Sequence, residues 1–180
     1  MKKLTLFVFL CTIGIRLLAA DATTNAASAV ASTTNKIAAP IMTFMVSTGA
    51  ISKPFVLENE RVSQPERTDE TAGGKVSFSF MLANAGTYVL QGLVNAPSED
   101  ANSFYINIDA PSEDPLTIWD IEVTNGFEQR IVNWRGNGDA GSDEFSPKRF
   151  QLSAGPHKLT IVGREAGAEL KSISLCPAGR

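Results

Sequence analysis

The sequence predicts an all-β protein, an antiparallel β-sandwich of the jelly-roll type, and three observations carry that expectation. Apolar and polar residues alternate along several short runs. Turn-forming residues punctuate those runs. From Ile41 onward helical periodicity is almost absent. At least eight short strands without intervening helices favour two packed antiparallel sheets. The sandwich is assigned to residues 41–180, and about 140 residues is ample for one core.

The elements follow in chain order. Met1-Lys2-Lys3 precedes an apolar run from Leu4 to Ile15, then Arg16-Leu17-Leu18-Ala19-Ala20. A basic start, a short apolar stretch and small residues at a cleavage point form a secretory signal peptide over residues 1–20. Arg16 interrupts the run, which falls short of the ~20 apolar residues of a membrane span. Leu10 before Cys11 is not the small residue that precedes a lipid-modified cysteine. Residues 21–40 are almost entirely Ala, Thr, Ser and Asn and read as a flexible linker, because they lack bulky side chains to offset the entropy of ordering.

Val76, Phe78, Phe80 and Leu82 alternate with Lys75, Ser77, Ser79 and Met81, a strand with one buried face. Ala83-Asn84-Ala85-Gly86 turns the chain into the next strand, Tyr88–Val94. Phe104, Ile106 and Ile108 then share one face, and Tyr105, Asn107 and Asp109 share the other. Further strands are expected at Leu116–Val123, Phe127–Trp134, Arg149–Leu152, Leu159–Gly163 and Leu170–Leu175. Thr124-Asn125-Gly126, Arg135–Pro147 and Ser153-Ala154-Gly155-Pro156 separate them.

Composition excludes several classes of function. With 16 Lys+Arg against 19 Asp+Glu there is no basic excess for a nucleic-acid backbone. A single histidine excludes multi-histidine metal centres, and two cysteines cannot form a disulfide framework. Cleavage after Ala20 removes Lys2, Lys3, Cys11 and Arg16, which leaves 13 basic residues against 19 acidic ones, a net charge of -6. The mature chain is then acidic, with no membrane span and with Cys176 as its one cysteine, expected as a buried, inert thiol.

Gly86-Thr87-Tyr88-Val89, Asn102-Ser103-Phe104-Tyr105-Ile106-Asn107-Ile108-Asp109, the run from Phe150 to Leu159 containing Gly155-Pro156-His157, and Ile161-Val162-Gly163-Arg164-Glu165-Ala166-Gly167 form a combination. Together they resemble the jelly-roll carbohydrate-binding modules of the family-six and family-thirty-five kind, within the galactose-binding-domain-like superfamily. The resemblance runs from about Met42 to Leu175. It implies an exported bacterial β-sandwich, periplasmic or extracellular, that binds a polysaccharide or oligosaccharide and catalyses nothing. Many such modules hold an edge calcium with a Glu-x-Glu strand before a glycine and an Asp in the last strand. Aligned on Gly49, the matching residues here are Met45, Ser47 and Lys171. Calcium takes hard oxygen ligands, so the resemblance implies that this site is lost and no cofactor is favoured.

Sugar binding needs flat apolar surface and a few polar groups. Trp119, Trp134, Tyr105 and Phe127 are the aromatic candidates, joined by Asn102, Arg135 and Asn137. Trp134 opens the loop Arg135–Glu144, whose Asn137, Asp139, Asp143 and Glu144 offer oxygens for a cation without the EF-hand order. Arg164 and Glu165, adjacent at a strand end, are expected to point to opposite faces and not to pair. His157 matches the turn histidine of the family, which implies a structural role. No Gly-x-Ser-x-Gly elbow accompanies it and no pair of acids stands out, so hydrolase or lyase chemistry is disfavoured. The rival to sugar binding is a structural or protein-interaction sandwich of the cell envelope, its partner unknown.

Overall fold

The computed structural model describes residues 40–110, 116–133 and 146–178. Twelve strands lie among the described residues: β1 (Met42–Met45), β2 (Ala50–Ser52), β3 (Val56–Glu58), β4 (Arg61–Ser63), β5 (Lys75–Leu82), β6 (Gly86–Asn95), β7 (Ser103–Ile108), β8 (Thr117–Asp120), β9 (Glu128–Ile131), β10 (Phe150–Leu152), β11 (Gly155–Gly163) and β12 (Glu169–Pro177). A 3₁₀ turn at Val46–Thr48 links β1 to β2.

The strands form two antiparallel sheets. One runs β2-β5-β11-β7-β8; the other runs β10-β6-β12-β4-β3, with β1 also pairing β12 and β9 also pairing β6. Two long ladders hold them together. In the first sheet β11 pairs β5 from Gly155↔Leu82 to Val162↔Lys75, and in the second β12 pairs β6 from Glu169↔Asn95 to Pro177↔Tyr88.

The expected alternation decides which face is buried. Val76, Phe78, Phe80 and Leu82 turn inward on β5, as do Phe104, Ile106 and Ile108 on β7 and Leu159 and Ile161 on β11. They meet Tyr88, Leu90, Val94, Leu170, Ile173 and Leu175 of the other sheet. The outward residues of β5 are Lys75, Ser77, Ser79 and Met81, none of them buried. The prediction for this strand and for β7 holds almost residue for residue.

Four differences have physical causes. The first four strands hold only three or four residues each, too few for a period of two to declare itself. Of the strand expected at Phe127–Trp134, the described residues form a strand over Glu128–Ile131, an edge segment where Arg130 sits opposite Gly92 and ion-pairs with Glu128 at 2.8 Å. Gly155 and Pro156, read as part of a turn, instead begin β11, opposite Leu82 and Met81. Cys176 is half-exposed and not buried, because alternation on β12 sends Leu175 inward and its successor outward.

Candidate functional site

The chemistry-bearing residues gather in two places on the β2-β5-β11-β7-β8 sheet. One is the end where β11 stops and β7 starts. The other is the outer face itself.

At the β11 end, the chain leaves the strand after Gly163, so the up-down rule no longer binds its next residues. Arg164 Nη1 lies 2.6 Å from Glu165 Oε1 and donates to Ser103 Oγ at 2.6 Å. The expectation that these two residues could not pair is corrected by this geometry. Glu165 also accepts the Asn102 backbone N–H at 3.0 Å. Burial would raise its carboxyl pKa, but the Ser103 hydroxyl, the Asn102 amide and the charges of Arg164 and Arg67 outweigh that and hold it below the usual carboxylate range. The Arg164 guanidinium lies 6.0 Å from the Tyr105 ring centroid. This cluster ties the β6–β7 connection to the β11–β12 connection, and its groups are spent on one another. The Asn102 side chain donates to Glu99 at 3.2 Å.

The outer face holds two adjoining hollows. One, of about 460 Å³, is lined by Ser79, Met81, Asp109, Pro156, His157 and Lys158. The second, of about 530 Å³, is lined by Phe44, Thr48, Ala50, Ser77, Ser79 and Lys158. Ser79 and Lys158 border both, and Phe44 of β1 and Thr48 of the 3₁₀ turn close the second, so the two adjoin as a groove from the β1–β2 turn across β5 and β11. Met81 is 65% exposed within it. The hydroxyls of Ser77 and Ser79 can donate and accept, that of Thr48, which donates to the Met45 carbonyl at 2.8 Å, can accept, the Lys158 amine donates, and Met81 and Pro156 give apolar surface. That mixture fits a ligand with polar edges and apolar patches.

His157 anchors one end of the groove. Its Nδ1 lies 2.5 Å from Asp109 Oδ2, and its Nε2 lies 2.9 Å from the Ser153 carbonyl oxygen. Asp109 takes a left-handed backbone, φ 54°, just past β7 and also accepts the Lys158 N–H at 2.7 Å. An aspartate tolerates that conformation better than a bulky residue.

The expected binding residues separate. Trp119 is fully buried, with Nε1 donating to the Ile131 carbonyl at 3.0 Å, so its candidacy as a sugar platform is corrected to a core role. Tyr105 and Asn107 do face outward on β7, and Asp109 reaches the groove. Phe127 lies in the bend just before β9 of the other sheet, where the Lys171 amine is 4.3 Å from its ring centroid. Trp134, Arg135, Asn137, Asp139, Asp143 and Glu144 lie outside the described residues. The last residue before them, Asn133, donates to the Asp120 carbonyl at 2.7 Å, at the β8 edge one strand from Tyr105.

The calcium-position residues meet at the edge of the other sheet: Met45 pairs with Ser172, next to Lys171 on a β-bulge, and Ser47 follows in the 3₁₀ turn. A thioether, a hydroxyl and an ammonium already stacked on Phe127 do not fit a hard cation. Among the described residues no group of three His, Cys, Asp or Glu side chains is placed to hold a metal.

Sequence reasoning missed Ser79, Met81 and Lys158 as a site. The available signal was a methionine on the solvent side of β5, where serine and lysine otherwise alternate with the core.

Two antiparallel sheets in this order, closed over one core, define the jelly-roll β-sandwich, and this chain has the fold of the carbohydrate-binding modules. No protein-family model matches it and no curated protein is similar to it in sequence. Among solved structures, the C-terminal CBM6 of a marine laminarinase from Zobellia galactanivorans superposes with a TM-score of 0.53 at 10% identity, over 76% of this chain and 99% of that module. A GH26-CBM35 β-(1,4)-mannanase from Podospora anserina gives 0.56 at 12% identity, over 78% of this chain and 28% of the mannanase. An exo-β-1,3-galactanase from Phanerochaete chrysosporium, crystallised with β-1,3-galactotriose, gives 0.51 at 13%, over 76% of this chain and 29% of that enzyme. The chain thus spans a whole module but less than a third of either enzyme. At these identities the likeness is one of fold.

Proposed function

We propose that this chain is an exported, non-catalytic carbohydrate-binding module that holds an oligosaccharide or polysaccharide segment along the outer face of the β2-β5-β11-β7-β8 sheet. The groove over Ser77, Ser79, Met81 and Lys158 carries this reading, because it places hydroxyl and amine hydrogen-bonding groups around exposed apolar surface. The match to an entire module supports a binding role over a catalytic one. Export rests on the basic and apolar first twenty residues.

Glycan-array screening followed by calorimetric titration tests it. Binding to a plant, algal or bacterial glycan is expected, weakened severalfold by Met81→Asp at unchanged melting temperature. A folded protein that binds nothing across a broad glycan set sinks the reading. One observation favours the rival, a structural or protein-interaction sandwich of the envelope: among the described residues Trp119 and Tyr88 are buried, and no aromatic is among the exposed large apolar side chains.

A further inference from the structure

The link between β8 and β9 holds a bend whose two sides are anchored and whose middle is free. Before it, the N–H of buried Thr124 donates to the Ala96 carbonyl at 2.9 Å, and its hydroxyl accepts the Ala96 N–H at 2.8 Å. After it, Glu128 opens β9, and its carboxylate accepts the Asn125 N–H at 2.9 Å. That amide holds the Glu128 carboxyl below the usual carboxylate range. Between these anchors Asn125 and Gly126 are exposed.

Among the described residues neither the Asn125 side chain nor the Gly126 N–H has a hydrogen-bond partner. Gly126 has no Cβ to shield its nitrogen, and a Cβ added there would find nothing within 4 Å. Its φ of 84° lies where glycine moves freely. The other described asparagines differ. The side chains of Asn95, Asn102 and Asn133 donate to Glu169, Glu99 and the Asp120 carbonyl, and that of Asn107 accepts the Ile108 N–H. Asn59 and Asn84 precede Glu60 and Ala85, which carry a Cβ. A rotatable side-chain amide next to an unbonded, unshielded backbone nitrogen is set up for intramolecular attack, which needs no encounter of two molecules.

We propose that Asn125-Gly126 is a site of self-modification, where the side-chain amide converts to a carboxylate without an enzyme. The Gly126 nitrogen gives its proton to hydroxide and bonds to Asn125 Cγ. The bond from Cγ to the side-chain nitrogen then breaks, and ammonia leaves with a proton from water. Water opens the resulting five-membered imide at either carbonyl. Opening at Cγ leaves aspartate, and opening at the backbone carbonyl leaves isoaspartate, whose main chain is one methylene longer. Either product sets a new carboxylate beside Glu128, and isoaspartate also lengthens the path from Thr124 to Glu128. The start of β9, where Glu128 pairs with Val94 of β6, is thereby loosened. This is independent of what the groove binds.

The full chain, folded or unfolded in urea, is aged in mildly alkaline buffer until the unfolded sample has converted. Cleavage after Glu122 and Glu128 then isolates residues 123–128, with no other asparagine, for mass spectrometry and isoaspartate labelling. Conversion in the folded chain is expected within about threefold of the unfolded rate, because an exposed bend needs no opening, while Asn95, Asn102 and Asn133 lag theirs by about tenfold or more. Asn125→Gln should reduce the reaction to background, since the ring would need one more atom. Hydrogen exchange of β9 should quicken in the aged chain and stay unchanged in aged Asn125→Gln. An Asn125 that survives in the folded chain while the unfolded chain converts overturns the proposal, because the native bend then withholds the attack. Equal conversion of Asn95, Asn102 or Asn133 in the folded chain overturns it as well. Unaltered β9 exchange in a converted chain overturns the effect on the sheet.

Discussion

His157 is the chain's only histidine, its side chain 4% exposed and wedged between two acceptors. Burial alone would lower its pKa, but the hydrogen bond and charge of Asp109 and the Ser153 carbonyl raise it above the ordinary value near 6.5. A pKa raised by folding contributes stability that is complete below the unfolded value and is lost as pH rises through the folded value. Proton NMR of this ring should therefore show a midpoint above 6.5, and Asp109→Asn should lower it and flatten the alkaline loss of stability. A wild-type midpoint at or below the ordinary value contradicts the pairing of this ring with Asp109. Glu165 has the opposite sign. Its folded pKa is depressed, so its contribution is present above the ordinary carboxylate value of 4.5 and is lost as pH falls through the depressed one. Glu165→Gln leaves Arg164, mostly buried, without its counter-charge, and urea unfolding should register a loss of about 3 kcal/mol. The type and position of both residues were readable in the sequence, but their partners were not. Asp109 lies 48 residues from His157 and Ser103 lies 61 from Arg164.

At the scale of elements, Trp119 shows what packing adds to pattern. On β8 it pairs with Phe104 of β7, and both rings enter the core. The tip of the indole crosses to β6, where a Cβ added to Gly92 would stand 2.3 Å from the ring atom Cη2. The two sheets therefore approach through a glycine and a tryptophan that fit together. Trp119→Ala should cost about 3–5 kcal/mol, and Gly92→Ala about 1–3 kcal/mol through overpacking. Both are measurable by chemical denaturation, and a Gly92→Ala protein as stable as the wild type would show that the contact is loose. Strands of six or more residues with one apolar face, β5 and β7 above all, could be read from alternation. The short strands could not. β3 has no buried residue, and β9 reads Glu-Gln-Arg-Ile, so their place in the sheet is set by the neighbours they pair with.

At the scale of the molecule, among the described residues the two sheets are held by the apolar layer between them, and the positions aligned with the family's edge calcium carry Met45, Ser47 and Lys171, none of them a carboxylate. Lys171 stacks on Phe127 beside Met45 and Ser172, where an added cation would meet an ammonium. The melting temperature should accordingly be the same with calcium and with chelator, since a ligand stabilises a fold only when it binds the native state. A calcium-dependent rise would point to a cation site elsewhere in the chain. The groove is likewise a property of the whole. Thr48, Ser79 and Lys158 come from the turn before β2, from β5 and from β11, and no local spacing relates them.

By itself the sequence determined the all-β class, the inward faces of the long strands and the acidic balance, because the pleat has a period of two that any stretch of chain displays locally. The tertiary structure alone decided that Trp119 is core, that Arg164 and Glu165 pair, and that Ser79, Met81 and Lys158 share a groove. Each of those depends on strand register and on where a strand stops. Both are fixed by packing between segments far apart in the chain, which no local pattern records.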